Sequence, residues 1–264
     1  MRSIKVLGVT FLWLLLLTGP ALCAGAQNET ASNEPDPMAV LHRMCDYLQS
    51  LPQFSFRADA IYDEVYSGGK KLQYEARMET YVKRPDMIRV NAVGDILDKQ
   101  FFLHGGVITL YDKSKDVYAD MQVPPNIEGA LAKAHDEYNL RVSLTELANP
   151  HLWELISGKI ENALYVGMAD VRGVACHHLA FDGPAAELQL WVSAGKKPLP
   201  MKVVFVQKQV EGEPEWIAYL SNWKTPAHLQ NALFKFTPPP GVQKIKFVPR
   251  TQPVAPGSGK GNKS

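Results

Sequence analysis

The residues with the most reactive chemistry are the consecutive Cys176, His177 and His178, which offer one thiol and two imidazoles. In a β-strand neighbouring side chains point to opposite faces, so the two histidines could not readily bind one metal ion together. Cys176 and His178 would share a face, but the sequence places no close pair of further ligands beside them. The sequence therefore predicts no metal site and no cofactor.

The motifs of several large enzyme classes are absent from the chain. It contains no Gly-x-Ser-x-Gly nucleophile elbow, no His-Glu-x-x-His pair and no Gly-x-Gly-x-x-Gly after a strand. Acid and base carboxylates that meet from distant strands leave no such local signature. An enzyme is disfavoured on these grounds, and a hydrolase without a local signature stays a third hypothesis.

The cysteines bear on both chemistry and compartment. Cys45 and Cys176 are the two that follow the N-terminal segment, and an oxidising compartment would allow a disulfide between them. The bridge is feasible if Val174 and Cys176 point inward. If Leu179 and Phe181 point inward instead, Cys176 points away from the helix that carries Cys45. Free thiols are favoured, and the Cys45-Cys176 disulfide remains the alternative.

Residues 1–26 have the order of a cleavable signal peptide. Arg2 and Lys5 precede an apolar stretch from Val6 to Leu17, and Ala24-Gly25-Ala26 supplies an A-x-A cleavage site. The stretch has 12 residues, which is short beside the ~20 that a membrane-spanning helix needs. We expect an exported, periplasmic or otherwise secreted protein that starts at Gln27 and is not an integral membrane protein after cleavage.

The charge balance argues against a nucleic-acid partner. The full sequence has 28 Lys and Arg against 27 Asp and Glu. Removing residues 1–26 leaves 26 basic residues against 27 acidic ones, a net charge of −1. Binding to nucleic acid depends on clustered Lys and Arg that contact phosphates. The composition therefore predicts no nucleic-acid binding.

The remaining sequence alternates mainly with the period of β-strands. Residues 27–35 read as a flexible leader, 36–248 as one β domain and 249–264 as a disordered tail. Within the domain, helices are expected at residues 37–51 and 126–138, with a short helical piece at 150–156. Strands are expected at residues 54–63, 72–83, 87–90, 99–103, 107–111, 117–122, 163–170, 174–181, 187–193, 201–208, 216–223 and 233–236. About a dozen antiparallel strands should curl around two or three helices, which is a mainly β, α+β fold.

Three segments carry a resemblance to a known family. They are Val171–Phe181 (VRGVACHHLAF), Leu190–Lys202 (LWVSAGKKPLPMK) and Phe234–Val242 (FKFTPPPGV). They resemble a family of predicted periplasmic proteins catalogued as a domain of unknown function, over roughly residues 37–247. That family is similar to the lipoprotein carriers LolA and LolB, which implies an unclosed β-barrel whose mouth is covered by helices. The resemblance further implies a cavity between the sheet and the helices that binds an acyl chain or another apolar ligand, such as a lipid or lipoprotein.

The candidates for lining such a cavity are apolar side chains of the predicted strands. Trp191 alternates with Leu190 and Val192, so either the tryptophan or the aliphatic pair faces the interior. Ordinary core packing would also account for each of these side chains. The candidates are Phe56, Tyr74, Met78, Leu190, Trp191 and Phe205. The leading hypothesis is a carrier or sensor of an apolar ligand, and the alternative is an envelope scaffold that binds a partner protein.

Overall fold

The computed structural model describes residues 34–225 and 227–249. The predicted signal peptide, most of the leader and nearly all of the tail lie outside these residues. Helices α1, α2 and α3 span Pro37–Ser50, Ile127–Tyr138 and Leu152–Ser157. Strands β1 to β6 span Gln53–Tyr66, Lys70–Lys83, Met87–Gly94, Asp98–His104, Val107–Asp112 and Val117–Gln122. Strands β7 to β12 span Asn162–Val171, Val174–Asp182, Ala186–Ser193, Pro200–Gln207, Glu215–Lys224 and Gln243–Lys244.

The first helix is defined by its capping residues. Asp36 caps it, because its side chain accepts a hydrogen bond from the Met38 amide at 3.0 Å. Pro37 occupies the first turn, where its missing N–H leaves no bond unmade. The helix ends before Pro52, since the residue that precedes a proline disfavours helical geometry, and Leu51 is extended.

The strands form a single twelve-stranded sheet made of two meanders. The order is β12-β6-β5-β4-β3-β2-β1-β11-β10-β9-β8-β7, so β1 and β11 join the two halves. All pairs are antiparallel except β12 with β6. Strands β12 and β7 stand at opposite ends of this order, and the sheet is therefore not closed. The predicted curled sheet of about a dozen strands with up to three helices is confirmed.

One face of the sheet packs against the helices, and we call it the concave face. Its core contains Leu41 and Met44 of α1, Ala130 of α2, Ile88 of β3 and Leu179 of β8, none more than 1% exposed. Residues of both meanders and of the helices share this one core, so the sheet curves around the helices. The opposite, convex face carries a smaller apolar cluster.

The segment that follows β11 corrects one prediction. Residues 233–236 were expected to form a strand, but Asn231–Phe234 is a turn of 3-10 helix. Phe236 instead packs on the rings of Phe102, Tyr111 and Tyr118, at centroid distances of 5.4, 5.4 and 5.1 Å. Pro238 to Pro240 follow, and prolines cannot donate to a sheet ladder. The segment therefore crosses the convex face as a strap before β12 pairs with β6.

Candidate functional site

Five side chains form a continuous row across the concave face. Tyr62 of β1 is paired with Tyr74 of β2 and with Trp216 of β11. Trp216 is paired with Phe205 of β10, and Phe205 with Leu188 of β9. Directly paired residues project from the same face, so these five stand side by side. Each is only half-buried, and we call the set the aromatic row.

The next positions toward the helices carry small side chains. Ala60 is paired with Ala76 and Ala218, which are 8% and 0% exposed. Gly94 extends the line on β3, and a Cβ there would lie 2.3 Å from the Glu75 carbonyl oxygen. Only glycine fits that position. Alanine has a single methyl side chain and glycine has none, so these positions rise only a short distance above the sheet. This line of small residues forms a low floor behind the aromatic row.

Beyond the floor the concave face is closed by tight aromatic packing. Phe56 lies 4.6 Å from Trp223 and 6.4 Å from Phe54, measured between ring centroids. Phe54 is 0% exposed and Phe56 is 3% exposed. The Trp223 indole N–H donates to the Pro200 carbonyl at 3.2 Å, which fixes the ring. The buried rings of Phe54 and Phe56 therefore close the site at one end, and the half-buried aromatic row borders it at the other.

The hydroxyl groups of the row differ in their partners. The Tyr74 hydroxyl is hydrogen-bonded to the Tyr66 hydroxyl at 2.7 Å. The Tyr62 hydroxyl is buried and has no hydrogen-bond partner within the described part of the chain. Burial raises the pKa of Tyr62, and the carboxylates of Glu64 and Asp95 raise that pKa further. At neutral pH the Tyr62 hydroxyl is thus a protonated, unused donor.

Five of the six predicted cavity residues lie on the concave face. Phe56, Met78 and Leu190 are buried there, at 3%, 6% and 4% exposure. Tyr74 and Phe205 belong to the half-buried aromatic row. Their places on the face follow from pairing, because Met78 opposes Ala58 and Leu190 opposes Val203. The structure therefore brings these five residues together on one surface.

Trp191 does not join them, because it lies on the convex face. It is stacked on His178 at 4.0 Å, and the Lys202 ammonium lies 4.3 Å from its ring centroid. Lys202 also approaches Tyr219, whose ring is 4.2 Å from the Arg172 guanidinium carbon. These residues form a stack of alternating rings and cations on the convex face. Trp191 therefore does not line the concave face. Its neighbour Leu190, the other candidate on β9, does.

An open groove of about 710 Å³ lies next to this stack. Its lining includes Asp59, which accepts hydrogen bonds from Arg172 at 2.9 Å and Arg77 at 3.4 Å. The hydrogen bond from Arg172 holds the pKa of Asp59 below its ordinary value, and Arg77 adds to this. Ala60, Ala76 and Gly94 also contribute to the lining of this groove. Paired charges are poor partners for an apolar ligand, so the groove itself is not the candidate site for one.

The two cysteines lie on opposite faces and are free thiols. Cys45 is packed within the concave core, and Cys176 within the convex cluster beside Trp191. Burial raises the pKa of Cys45 to about 12 and that of Cys176 to about 11. Neither thiol is a reactive nucleophile at neutral pH, since the thiolate is the reacting form.

Two kinds of feature are absent from the described residues. Among residues 34–225 and 227–249, no cluster of at least three His, Cys, Asp or Glu side chains has a geometry that could hold a metal ion. Within the same ranges, no helix combines the length and apolar character needed to cross a membrane.

Sequence reasoning did not nominate Tyr62, Trp216 and Leu188 as site residues. Alternation did place Tyr62 on the same face as Phe56, so one signal for it was available. Trp216 joins the row through the pairing of β1 with β11, and pairing between strands so distant in sequence cannot be read from local periodicity. Leu188 joins it through the pairing of the consecutive strands β9 and β10, so its place beside Phe205 depends on the register of one local pair.

One family model matches the chain. It is described as "Predicted periplasmic protein (DUF2092)" and matches residues 37–248. No curated protein matches the sequence at a significant level.

Three solved structures illustrate the similarity of fold. An uncharacterized conserved protein from Thermus thermophilus has 10% identity, covers 78% of this chain and 98% of its own, and has a TM-score of 0.48. The lipoprotein LppX from Mycobacterium tuberculosis has 13% identity, coverages of 74% and 100%, and a TM-score of 0.42. A LolA superfamily protein from Nitrosomonas europaea has 10% identity, coverages of 77% and 99%, and a TM-score of 0.37. Likenesses this distant carry no information about function.

Proposed function

We propose that this chain, which belongs to the DUF2092 family of predicted periplasmic proteins, binds an apolar ligand between the concave face and its covering helices. The family description confirms both the periplasmic location and the family resemblance predicted from the sequence. The ligand class is a lipid or the acyl chain of a lipoprotein.

The aromatic row is the observation that carries this proposal. Its four aromatic rings and one leucine remain half-buried, whereas Phe54, Phe56 and Met78 further along the concave face are buried. Half-buried rings gain free energy when an apolar molecule replaces water against them. Pockets for small ligands are usually lined in this way, by apolar side chains with a few polar groups. The low alanine floor behind the row would accept the end of a chain.

A scaffold that binds a partner protein is the second candidate. Strand β7 is an edge strand, and Leu164, Val166 and Met168 on it are 61%, 49% and 58% exposed. An edge with exposed apolar side chains is a template for pairing with another chain. A hydrolase is the third candidate. None of the contacts described above among residues 34–225 and 227–249 favours it.

Binding of N-phenyl-1-naphthylamine, a neutral apolar dye that fluoresces when shielded from water, tests the proposal. The mature protein, from Gln27, should bind the dye, and Phe205→Ser should weaken binding about tenfold, which corresponds to ~1.4 kcal/mol and to part of the burial of a phenyl ring. Val206→Ser is the matched control, because Val206 is the adjacent half-buried residue on the other face of β10.

Circular dichroism establishes that both variants are folded. Extraction of lipid from protein purified from its own cell envelope, followed by mass spectrometry, gives an independent reading. A folded wild-type protein that binds neither the dye nor native lipid at high micromolar concentration would leave the scaffold as the better account.

A further inference from the structure

The charges of the chain are divided unevenly along its length. Residues 27–215 contain 19 basic and 27 acidic residues, a net charge of −8. Residues 216–264 contain no Asp or Glu and seven basic residues, a net charge of +7. The seven are Lys224, Lys235, Lys244, Lys246, Arg250, Lys260 and Lys263. The nearly neutral total therefore conceals a basic C-terminal segment, and such asymmetry is typical of chains that contact an anionic surface.

Part of this segment lies at the edge of the sheet, where β12 pairs with β6. Ile245 and Val248 are 47% and 79% exposed there. Lys246 lies between them in sequence, is also exposed, and forms no ion pair among residues 34–225 and 227–249. Lys244, by contrast, lies 2.8 Å from the Asp120 carboxylate. The edge therefore presents two apolar side chains beside a cation that no described carboxylate neutralises.

The acidic side chains beside β12 do not cancel this charge. Asp112, at the end of β5, lies 3.9 Å from both Lys99 and Lys115. Asp116, in the turn between β5 and β6, has no ion pair within the described ranges. One carboxylate thus stands against Lys246 and the three basic residues that follow Pro249 in the sequence. The C-terminal segment keeps a positive excess.

The mixture of cations and exposed apolar side chains favours a lipid bilayer over an acidic protein as the partner. Lysine keeps its ammonium among the headgroups while apolar neighbours enter the interface. Each basic residue near an anionic lipid surface strengthens binding about fivefold. An acidic protein would need a surface shaped to receive both Ile245 and Val248, whereas a fluid bilayer receives them without a matching shape. The family is described as periplasmic, and membranes bound that compartment.

We propose that residues 243–249 dock this protein on the surface of an anionic lipid bilayer, with the basic residues of 250–264 adding to the attraction. Phe247 of this segment packs on Tyr138, with 5.7 Å between the ring centroids. Tyr138 is the last residue of α2, one of the helices that cover the concave face. The docking segment is therefore in contact with the cover of the proposed ligand site. Docking is a separate property from ligand binding and does not depend on it.

Co-sedimentation with vesicles tests the proposal, with the protein produced from Gln27 onward. Vesicles of phosphatidylcholine that contain about 30 mol% phosphatidylglycerol should bind it at least about tenfold more strongly than vesicles of phosphatidylcholine alone, and added salt should weaken that binding. Lys246→Gln should weaken binding to the anionic vesicles about fivefold. Val248→Ser should weaken it about threefold, because part of a valine side chain no longer leaves water.

Lys70→Gln and Val210→Ser are the matched controls. Both residues are exposed and lie away from β12, since Lys70 begins β2 and Val210 lies between β10 and β11. Each control should bind within about twofold of the wild type, and circular dichroism verifies that all four variants are folded. Equal losses in Lys246→Gln and Lys70→Gln would overturn the proposal.

Equal binding to the two kinds of vesicle would also overturn it. A folded wild-type protein that binds no anionic vesicles at about 0.1 M salt would overturn it as well, and would leave an acidic protein surface as the better partner. Binding of N-phenyl-1-naphthylamine is measured without vesicles, so a failure of docking is distinguishable from a failure of the proposed function.

Discussion

Replacing Arg84 should cost this protein much more stability than replacing an exposed cation such as Arg77. The Arg84 guanidinium donates to the Leu51 carbonyl at 3.1 Å and to the Leu48 carbonyl at 3.2 Å. It also donates to the carbonyl of Ala148, at the end of a 3-10 turn. One side chain thus satisfies carbonyls at the ends of two separate helical segments. Burial lowers its pKa, which reflects how little water reaches it.

The size of the effect follows from the bonds that are lost. Hydrogen bonds to a charged group contribute ~1.5–3 kcal/mol each, and three of them are offset in part by the desolvation of one guanidinium. We expect Arg84→Met to lower the free energy of unfolding by ~3 kcal/mol, since methionine retains much of the stem but none of the donors. With a urea m-value of about 3 kcal/mol/M for a domain of this size, the midpoint should fall by about 1 M.

Arg77→Met is the matched control. The Arg77 side chain is 66% exposed and its nearest carboxylate, Asp59, is 3.4 Å away. An exposed pair of this kind contributes ~0.2–1 kcal/mol, so the midpoint should move little. Urea unfolding followed by tryptophan fluorescence compares the two variants with the wild type. If the urea midpoints of Arg84→Met and Arg77→Met lie within about 0.2 M of each other, the Arg84 hydrogen bonds do not stabilise the contact between the two helical segments.

Two further outcomes follow from the pKa shifts. Cys45 and Cys176, with pKa values raised to about 12 and about 11, should not react with Ellman reagent at pH 8 in the native protein produced from Gln27 onward, whereas both should titrate in denaturant without a reductant. Rapid native reaction, or no reaction in denaturant, would contradict this. Asp59 has a lowered pKa in the folded state, chiefly through the hydrogen bond from Arg172, so its contribution is present above the ordinary aspartate pKa and is lost as the pH falls through the lowered value. Asp59→Asn should therefore flatten the acid side of the stability profile below about pH 4, measured as urea midpoints from pH 5 to pH 2; an unchanged slope there would show that the ion pair does not form in solution.

Most of the fold could be predicted because its strands alternate strongly. Residues 54–63 and 72–83 alternate without interruption, and they became the long β1–β2 pair. The Asp36-Pro37 start and the Pro52 end of α1 are also local signals, and all three act as expected. The strand predicted at residues 233–236 was wrong. Two phenylalanines separated by one residue are typical of a strand, but the prolines that prevent strand pairing follow slightly later.

The candidate site could be predicted only in part, because it depends on pairing over long distances. Phe56, Tyr74 and Met78 lie on the β1–β2 hairpin, where one turn fixes the register. Tyr62 and Trp216 are neighbours only because β11 pairs with β1, and the sequence of neither strand predicts that pairing. The sequence could place Leu190 and Trp191 on opposite faces, but it could not say which face is covered by the helices.

The two faces use the same kinds of side chain for different purposes, and this difference supports the concave face as the ligand site. On the convex face the rings of Trp191 and Tyr219 are already covered, because the Lys202 ammonium lies within 5.1 Å of both ring centroids. A ring covered by a cation has its apolar surface occupied and gains little from an apolar ligand. In the aromatic row, Trp216 and Phe205 are paired with each other and only half-buried, with no cation over either ring among the described residues. Their free surface is the larger source of binding energy, so a ligand that is apolar along most of its length should settle on the concave face.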